Sequence, residues 1–439
     1  MTLREQLAAG DFFQGYAYAY PHKTAYRPLA PPVPLREGWA AEDKDALFLY
    51  AHVPFCEMRC GFCNLFTTAH PEDGLVAGYL SALERQAAAV SAALGKGARF
   101  ARVAVGGGTP TFLEPAELEW LFRILHGAFA IAAGAPIAVE LSPQTVTRER
   151  LAVLRQWGVT RVSLGVQSFV ETETRALGRA QRPEEARRAL AQLREAEFPV
   201  LNLDLIYGLE GQTAASWRES LAAALEHSPE EIYLYPLYVR SLTGLGSHGK
   251  APSDERLALY RQGRAALLAR GYRQVSMRLF RAPHHAEPGG PEYCCQEDGM
   301  VGVGAGARSY TAALHYSSEW AVSRPGVRAI LDDYLRRGAA QFEVADYGCA
   351  LNPAEQRRRY VIKSLLRADG LDDAAYTGWF GSVVDEDFPQ LAELDQLGAA
   401  EWSGGVRRLT AQGLEWSDVI GPWLFSAKMA ARMESFALA

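Results

Sequence analysis

Six apolar runs of strand length, alternating with helical patterns, constrain this chain more than any other feature. The runs cover residues 47–53, 101–105, 137–141, 161–164, 200–206 and 232–237. Helix-period segments lie between them at 76–94, 115–129, 148–157, 183–196 and 215–227. Strands this apolar need cover on both faces, and strand–helix alternation supplies it by building a parallel sheet. The expected fold is α/β: a parallel (β/α)6 sheet curled as a partial barrel. Eight units would close a full barrel, but the pattern changes near residue 240. With 49% of residues apolar, the chain has material for a large core.

Residues 1–46 carry Tyr16, Tyr18, Tyr20 and Tyr26, then Pro31, Pro32 and Pro34. Disordered tails are poor in aromatics, so this segment reads as an ordered arm lying on a barrel over 47–240. Residues 241–335 read as a mixed extension packing on that barrel. They include Gly302-Val-Gly-Ala-Gly-Ala307, which matches a dinucleotide loop only in part and opens no helix, so close packing is expected there. Residues 336–439 form a mostly helical C-terminal region, with a helix over 352–368. The stretch 391–413 runs helix, strand, Gly404-Gly405 turn, strand, a winged-helix-like order.

Lys and Arg number 45 against 51 Asp and Glu, a net charge of −6. No long basic run or basic–aromatic stripe appears, so nucleic acid is not an expected partner, for the winged segment either. The longest weakly polar stretch, 127–139, is too short for a bilayer and is broken by Pro136. Glu5 and Asp11, with no apolar run beside them, argue against a secretory signal. The expectation is a cytoplasmic protein with reduced cysteines.

Half of its six cysteines fall in one loop, His52-Val-Pro-Phe-Cys-Glu-Met-Arg-Cys-Gly-Phe-Cys-Asn64. This CxxxCxxC spacing sets the thiols of Cys56, Cys60 and Cys63 around a single turn. A [4Fe–4S] cube has four iron corners, and electron-transfer sites usually fill each with cysteine. Three ligands leave one iron open to bind and activate a small molecule. Counting alone also leaves zinc open, completed by His52 or His70. A disulfide framework does not suit so few cysteines in so long a chain.

Polar residues gather where such strands end, the edge that carries function in barrels. Gly106-Gly-Gly-Thr-Pro110 follows the second strand, and its backbone could approach a ligand closely. Glu140 ends the third; its carboxylate suits a ribose diol. Gly165-Val-Gln-Ser168 ends the fourth, with Arg179 twelve residues beyond Gln167; an arginine can fork onto a carboxylate. Asp204 lies within the apolar fifth strand, where a charge needs a partner or a function.

With these residues the chain resembles the oxygen-independent coproporphyrinogen III oxidase-like branch of radical S-adenosylmethionine (SAM) proteins. The resemblance rests on Tyr50-Ala-His-Val-Pro-Phe-Cys56, Gly106-Gly-Gly-Thr-Pro110, Arg161-Val-Ser-Leu-Gly-Val-Gln-Ser-Phe169, and Asp204-Leu-Ile-Tyr-Gly-Leu209 with Gln212-Thr213. It covers about 47–310 well and the C-terminal segment more loosely. It implies that Cys56, Cys60 and Cys63 hold a [4Fe–4S] cluster whose open iron is chelated by SAM. Tyr50 and Phe62 would lie near this SAM, and Gly107, Gly108 and Thr109 would line it. Glu140 would take the ribose hydroxyls, while Gln167, Arg179 and Asp204 would fix its remaining polar groups. The implied activity is reductive SAM cleavage followed by hydrogen abstraction from a small molecule, tetrapyrroles included. A flavodoxin- or ferredoxin-type donor would supply the electron, and a second SAM is compatible with the family.

Departures from the family bear on substrate. Asn64 follows Cys63 where true coproporphyrinogen oxidases carry another cysteine. Gly290-Pro-Glu-Tyr-Cys-Cys295 stands where haem-chaperone relatives carry a haem-ligand histidine, and His284 and His285 are out of register, reading as a solvated loop. Tyr238 stands where relatives have a small residue after the sixth strand, with Arg240 beyond it. They and Arg278, beside Met277, are candidate substrate contacts; Arg240, Arg278 and Arg308 could pair with substrate carboxylates. Cys294, Cys295 and Cys349 read as packing. His22 and Lys23 could cap the active site or lie at the surface. Alternatives to the oxidase-like enzyme are a radical C-methyltransferase or cyclase using a second SAM, a non-enzymatic haem chaperone, and a structural zinc or electron-transfer protein.

Overall fold

Main-chain pairing carries the strands past the apolar runs that announce them. In the computed structural model, which describes residues 1–15, 17–240, 242–285, 293–297 and 299–436, the arm supplies β1 (Arg27–Pro34). Six parallel strands follow: β2 (Leu47–Val53), β3 (Phe100–Gly107), β4 (Ile137–Leu141), β5 (Arg161–Gln167), β6 (Val200–Tyr207) and β7 (Glu231–Pro236). Strands β3 and β5 run past their apolar runs because ladder hydrogen bonds need no side chain: Gly106 and Gly107 still pair with His52 and Val53.

The extension adds β8 (Arg273–Gln274), β9 (Leu279–Arg281), β10 (Met300–Val303), β11 (Arg308–Tyr310) and β12 (Leu314–Ser317), and β13 (Val344–Ala350) follows. All join one thirteen-stranded sheet in the order β1-β13-β12-β11-β10-β2-β3-β4-β5-β6-β7-β9-β8. Strand β10 lies parallel to β2, extending the parallel row beyond the six strands expected. Each of the four sequence segments therefore contributes to this sheet. Helices such as α1 (Leu75–Leu94) and α2 (Pro115–Ala128) cover it, with Leu80, Leu83, Leu118 and Leu121 fully buried.

A second core gathers around α3 (Pro353–Leu365), α4 (Ala392–Gln396) and α5 (Ser417–Trp423). Leu3, Tyr20 and Tyr26 of the arm are buried there, whereas Phe13 packs in the barrel core, so the arm joins both. After α4, strands β15 (Ala400–Ser403) and β16 (Val406–Leu409) form a hairpin whose Gly404 and Gly405 both take positive φ. The two-residue β14 (Leu371–Asp372) completes its sheet. Among the described residues no helix is long and apolar enough to cross a membrane. Tyr16 and Gly290, Pro291 and Glu292, singled out in the sequence, lie outside the described residues.

Candidate functional site

Beyond β2 the chain turns through Pro54 and closes on itself, Phe55 and Cys56 pairing in parallel with Thr68 and Ala69. The resulting loop holds Cys56, Cys60 and Cys63, each half-buried and none in a disulfide. Its middle is pinned at Gly61, whose N–H donates to the Leu177 carbonyl at 2.8 Å while its own carbonyl accepts from Leu245 at 2.7 Å. A Cβ there would stand 2.9 Å from the Leu177 oxygen, so the clamp requires glycine. Phe62 packs beside it against Leu177, Ile206 and Leu245.

Two donors face the sulfurs. Thr109 Oγ1 lies 3.6 Å from Cys56 Sγ, and Arg179 Nη1 lies 3.4 Å from Cys60 Sγ. Burial holds the Cys56 thiol up at about 12 and raises Cys63 as well. A metal reverses that order, because a coordinated thiol is deprotonated outright, and donors aimed at sulfur stabilise the resulting charge. The zinc alternative fits less well. His52 Nε2 is engaged 2.9 Å from the Phe66 carbonyl and Nδ1 3.2 Å from Tyr50 Oη, and burial lowers its pKa to about 4. His70 is exposed. Three unpaired thiols with donors aimed at them suit a multinuclear cluster.

The glycines after β3 lie against this loop. Gly107 takes φ +116°, and a Cβ on it would overlap the His52 ring at 2.6 Å. Gly108 is tighter, its Cβ falling 2.4 Å from the Phe55 oxygen and 2.9 Å from Cys56 Sγ. Gly108→Ala is therefore expected to displace the cysteine loop, at a strain of about 1–3 kcal/mol. Iron and sulfide per chain after reconstitution would fall well below wild type; undiminished loading would refute the cradle.

Glu140 is exposed at the end of β4 yet receives the Gly107 N–H at 3.1 Å. Desolvation raises its carboxyl to about 7, against the Gly107 hydrogen bond that lowers it. Tyr50, half-buried, has its phenol raised by burial and then by Glu140. Gln167 ends β5 with φ +70° at a bulge in the β5–β6 pairing. A buried non-glycine residue in that region costs about 1–3 kcal/mol, a strain that gathers at functional sites. Arg179 fixes the turn: beyond Cys60, Nη2 donates to the Gly165 carbonyl and Nε to Gln181 Oε1, both at 2.8 Å. Asp204 accepts from Asn202 Nδ2 at 2.8 Å and faces Ser163 Oγ at 3.4 Å; burial raises its pKa.

Ser163 and Asn202 did not stand out in the sequence. Registered pairing puts Glu140, Ser163, Asn202 and Glu231 on one rung across four strands, and Gly165, Asp204 and Tyr233 on the next. Polar residues in phase within apolar strands were the available signal.

The expected substrate contacts fare differently. Arg278 is 1% exposed and holds both oxygens of Asp418, on α5, at 2.7 Å; its Nη2 also donates to Tyr238 Oη at 2.7 Å. Tyr238 Oη donates to Asp418 in turn. The expectation that Tyr238 and Arg278 face substrate is corrected: both are committed to a buried joint with the C-terminal region, which sequence distance concealed. Arg240 is exposed and lies over the Tyr238 ring at 5.1 Å. Cys294 and Cys295, expected as buried packing, are half-buried and donate to Gln296 Oε1 at 3.3 and 3.2 Å. Cys349 is buried, and His284 lies half-exposed 3.5 Å from Glu230.

Comparison with known proteins accords with this arrangement. The radical SAM superfamily profile matches residues 50–224. The oxygen-independent coproporphyrinogen III oxidase of Cereibacter sphaeroides is 34% identical over 392 residues, 84% of this chain and 83% of that protein. The same-named protein of Bradyrhizobium diazoefficiens is 33% identical, the match spanning 54% of this chain and about half (53%) of the relative. The heme chaperone HemW of Escherichia coli is 31% identical over 60% of this chain and 69% of its own. Among solved structures, coproporphyrinogen III oxidase (HemN) from Escherichia coli superposes with a TM-score of 0.77 at 24% identity, covering 94% of this chain and 99% of that one, and so shares the fold. The chain belongs to the coproporphyrinogen III oxidase-like family of radical SAM proteins, which implies a [4Fe–4S] cluster and SAM.

Proposed function

We propose that this protein is a radical SAM enzyme acting on a small molecule, with a coproporphyrinogen-like tetrapyrrole as the first candidate. The observation that carries the reading is the three-thiol loop, with Thr109 and Arg179 donating to its sulfurs, in a sheet whose strand ends carry Glu140 and Gln167 and whose β6 carries Asp204. When bound, a one-electron-reduced [4Fe–4S] cluster and SAM supply a 5′-deoxyadenosyl radical that removes hydrogen from substrate.

The chain's own residues bind and orient. Cys56, Cys60 and Cys63 hold the cluster, and the Thr109 and Arg179 donors offset thiolate charge, which tunes its potential. Gly107 and Gly108 pack directly on His52 and the cysteine loop, where any side chain would collide, and line the ligand through their backbone. Ionised Glu140 accepts the ribose hydroxyls, Asp204 and Gln167 take further polar groups, and Tyr50 and Phe62 flank the ligand. The electron comes from a flavodoxin- or ferredoxin-type donor. Anaerobic reconstitution, then dithionite and SAM, tests this reading: 5′-deoxyadenosine measured by mass spectrometry is the expected product. An intact cluster that never cleaves SAM would sink it.

A pH experiment tests Glu140. Ionised, the carboxylate accepts from both ribose hydroxyls, whereas the acid turns one oxygen into a donor and keeps a single weaker acceptor; burial raises this carboxyl to about 7. SAM affinity is expected to rise by up to about tenfold between about pH 6 and 8, and to stay flat in Glu140→Gln. Stability moves oppositely: folding raises this pKa from 4.5, so its contribution is whole below 4.5 and lost as pH rises through about 7.

A second reading, a non-enzymatic haem carrier, is favoured by similarity to HemW. Haem titration separates the two: saturable haem binding without SAM cleavage would support the carrier.

A further inference from the structure

Glu57 follows the first cysteine of the loop and is half-buried. Its Oε1 accepts from Ser142 Oγ at 2.6 Å, a short charge-assisted bond between residues 85 positions apart. Ser142 directly follows β4, two residues past Glu140, and keeps an extended backbone (φ −112°, ψ 155°). In extended chain such neighbours leave the same face. One hydrogen bond thus ties the cysteine loop to the strand end that carries Glu140.

Ser142 is itself held in place. Its N–H donates to Thr145 Oγ1 at 3.3 Å, and its carbonyl accepts from the same hydroxyl at 3.0 Å. Thr145 Oγ1 also lies 2.6 Å from Thr111 Oγ1, and both threonines are buried. Thr111 belongs to the turn after β3, where Thr109 Oγ1 addresses Cys56 Sγ. The contacts therefore close a ring: Cys56, Thr109, Thr111, Thr145, Ser142, Glu57 and back along the chain to Cys56. The Gly107–Glu140 bond cross-links the same two strand ends. Satisfied polar networks of this kind fix one arrangement of the groups they join. The loop's other anchors are Gly61, clamped to Leu177 and Leu245, and Arg59 Nη2, which donates to the Val322 carbonyl. Neither reaches β4; the Glu57–Ser142 bond does.

We propose that Glu57 is a positioning residue: through Ser142 it sets the cysteine loop against Glu140 and so favours a ligand that must engage both. The proposal rests on the radical SAM reading, in which the loop side receives the methionine end of SAM and Glu140 the ribose. A ligand spanning both ends gains from a spacing fixed before it binds, because less ordering remains to be done on binding. A nucleoside held by Glu140 alone gains nothing from that spacing.

The test compares equilibrium binding of SAM and of 5′-deoxyadenosine to the full-length, anaerobically reconstituted protein, with iron per chain measured for each variant. Glu57→Ala is expected to weaken SAM about tenfold, the scale of one charge-assisted hydrogen bond, and 5′-deoxyadenosine by less than about twofold. Iron should stay at the wild-type level. Glu57→Gln, whose amide oxygen still accepts from Ser142, is expected to restore most of the SAM affinity. Ser142→Ala removes the donor from outside the cysteine loop, and keeps the test decisive if Glu57→Ala takes up iron poorly. The double variant should bind SAM no more weakly than either single one, because both remove the same contact. Equal losses for the two ligands, additive single effects, or a Glu57→Gln protein as weak as Glu57→Ala would overturn the assignment. The two readings fail separately. Wild-type protein that binds neither ligand fails the radical SAM reading itself. Wild type and Glu57→Ala binding SAM equally well would fail only the positioning role.

Discussion

Cys60→Ala protein, reconstituted anaerobically beside the wild type, is expected to form 5′-deoxyadenosine at a rate more than about 100-fold lower. Removing even an outer partner of a metal ligand typically costs about 10–100-fold, and here a ligand itself is lost. Cys60 is the sensitive position because its sulfur is also the one Arg179 addresses. Without it, the Arg179 fork keeps only the Gly165 carbonyl and Gln181. Iron and sulfide per chain should fall in step. Cys295→Ala, whose thiol donates to Gln296, should keep both iron and activity. A Cys60→Ala protein with full iron and full SAM cleavage would exclude this loop as the cluster site.

Asp418→Ala is expected to destabilise the protein by about 3–5 kcal/mol, the usual cost of leaving one partner of a buried ion pair without the other. Arg278 and Asp418 are each 1% exposed at the side chain, so water cannot replace the lost carboxylate, and Tyr238 loses its acceptor as well. The physics also predicts a rescue. In Arg278→Met/Asp418→Leu no charge remains buried, and such replacements are often neutral or stabilising. Urea midpoints of the single and double variants, read with the slope m, give the coupling directly. A single variant within about 0.5 kcal/mol of wild type, the range of ordinary surface changes, would show that the joint carries no load between barrel and C-terminal region.

The cysteine loop, the glycines after β3 and the polar strand ends were legible because each depends on local facts. Spacing along a loop, the φ range open to glycine and the end of an apolar run are all written within about ten residues. Ser163 and Asn202 were harder, since a single polar residue in a strand signals little until neighbouring strands are brought into register. Tyr238 and Arg278 misled for the same reason. Their partner Asp418 is 180 and 140 residues away in sequence, and an arginine near a barrel's mouth looks available until that partner is known.

By itself, the sequence determined the parallel α/β sheet, the loop with three thiols and the family to which they belong. Alternation of period 2 with period 3.6 and short-range spacing need no knowledge of long-range contacts. Only the tertiary structure decided that the arm's strand closes the far edge of the same sheet and that an eleventh-hour neighbour in sequence, Asp418, neutralises Arg278. It also decided that Lys23 of the arm lies over the Trp320 ring. Those pairings join residues hundreds of positions apart, and only burial of the apolar faces around them selects one set over the others.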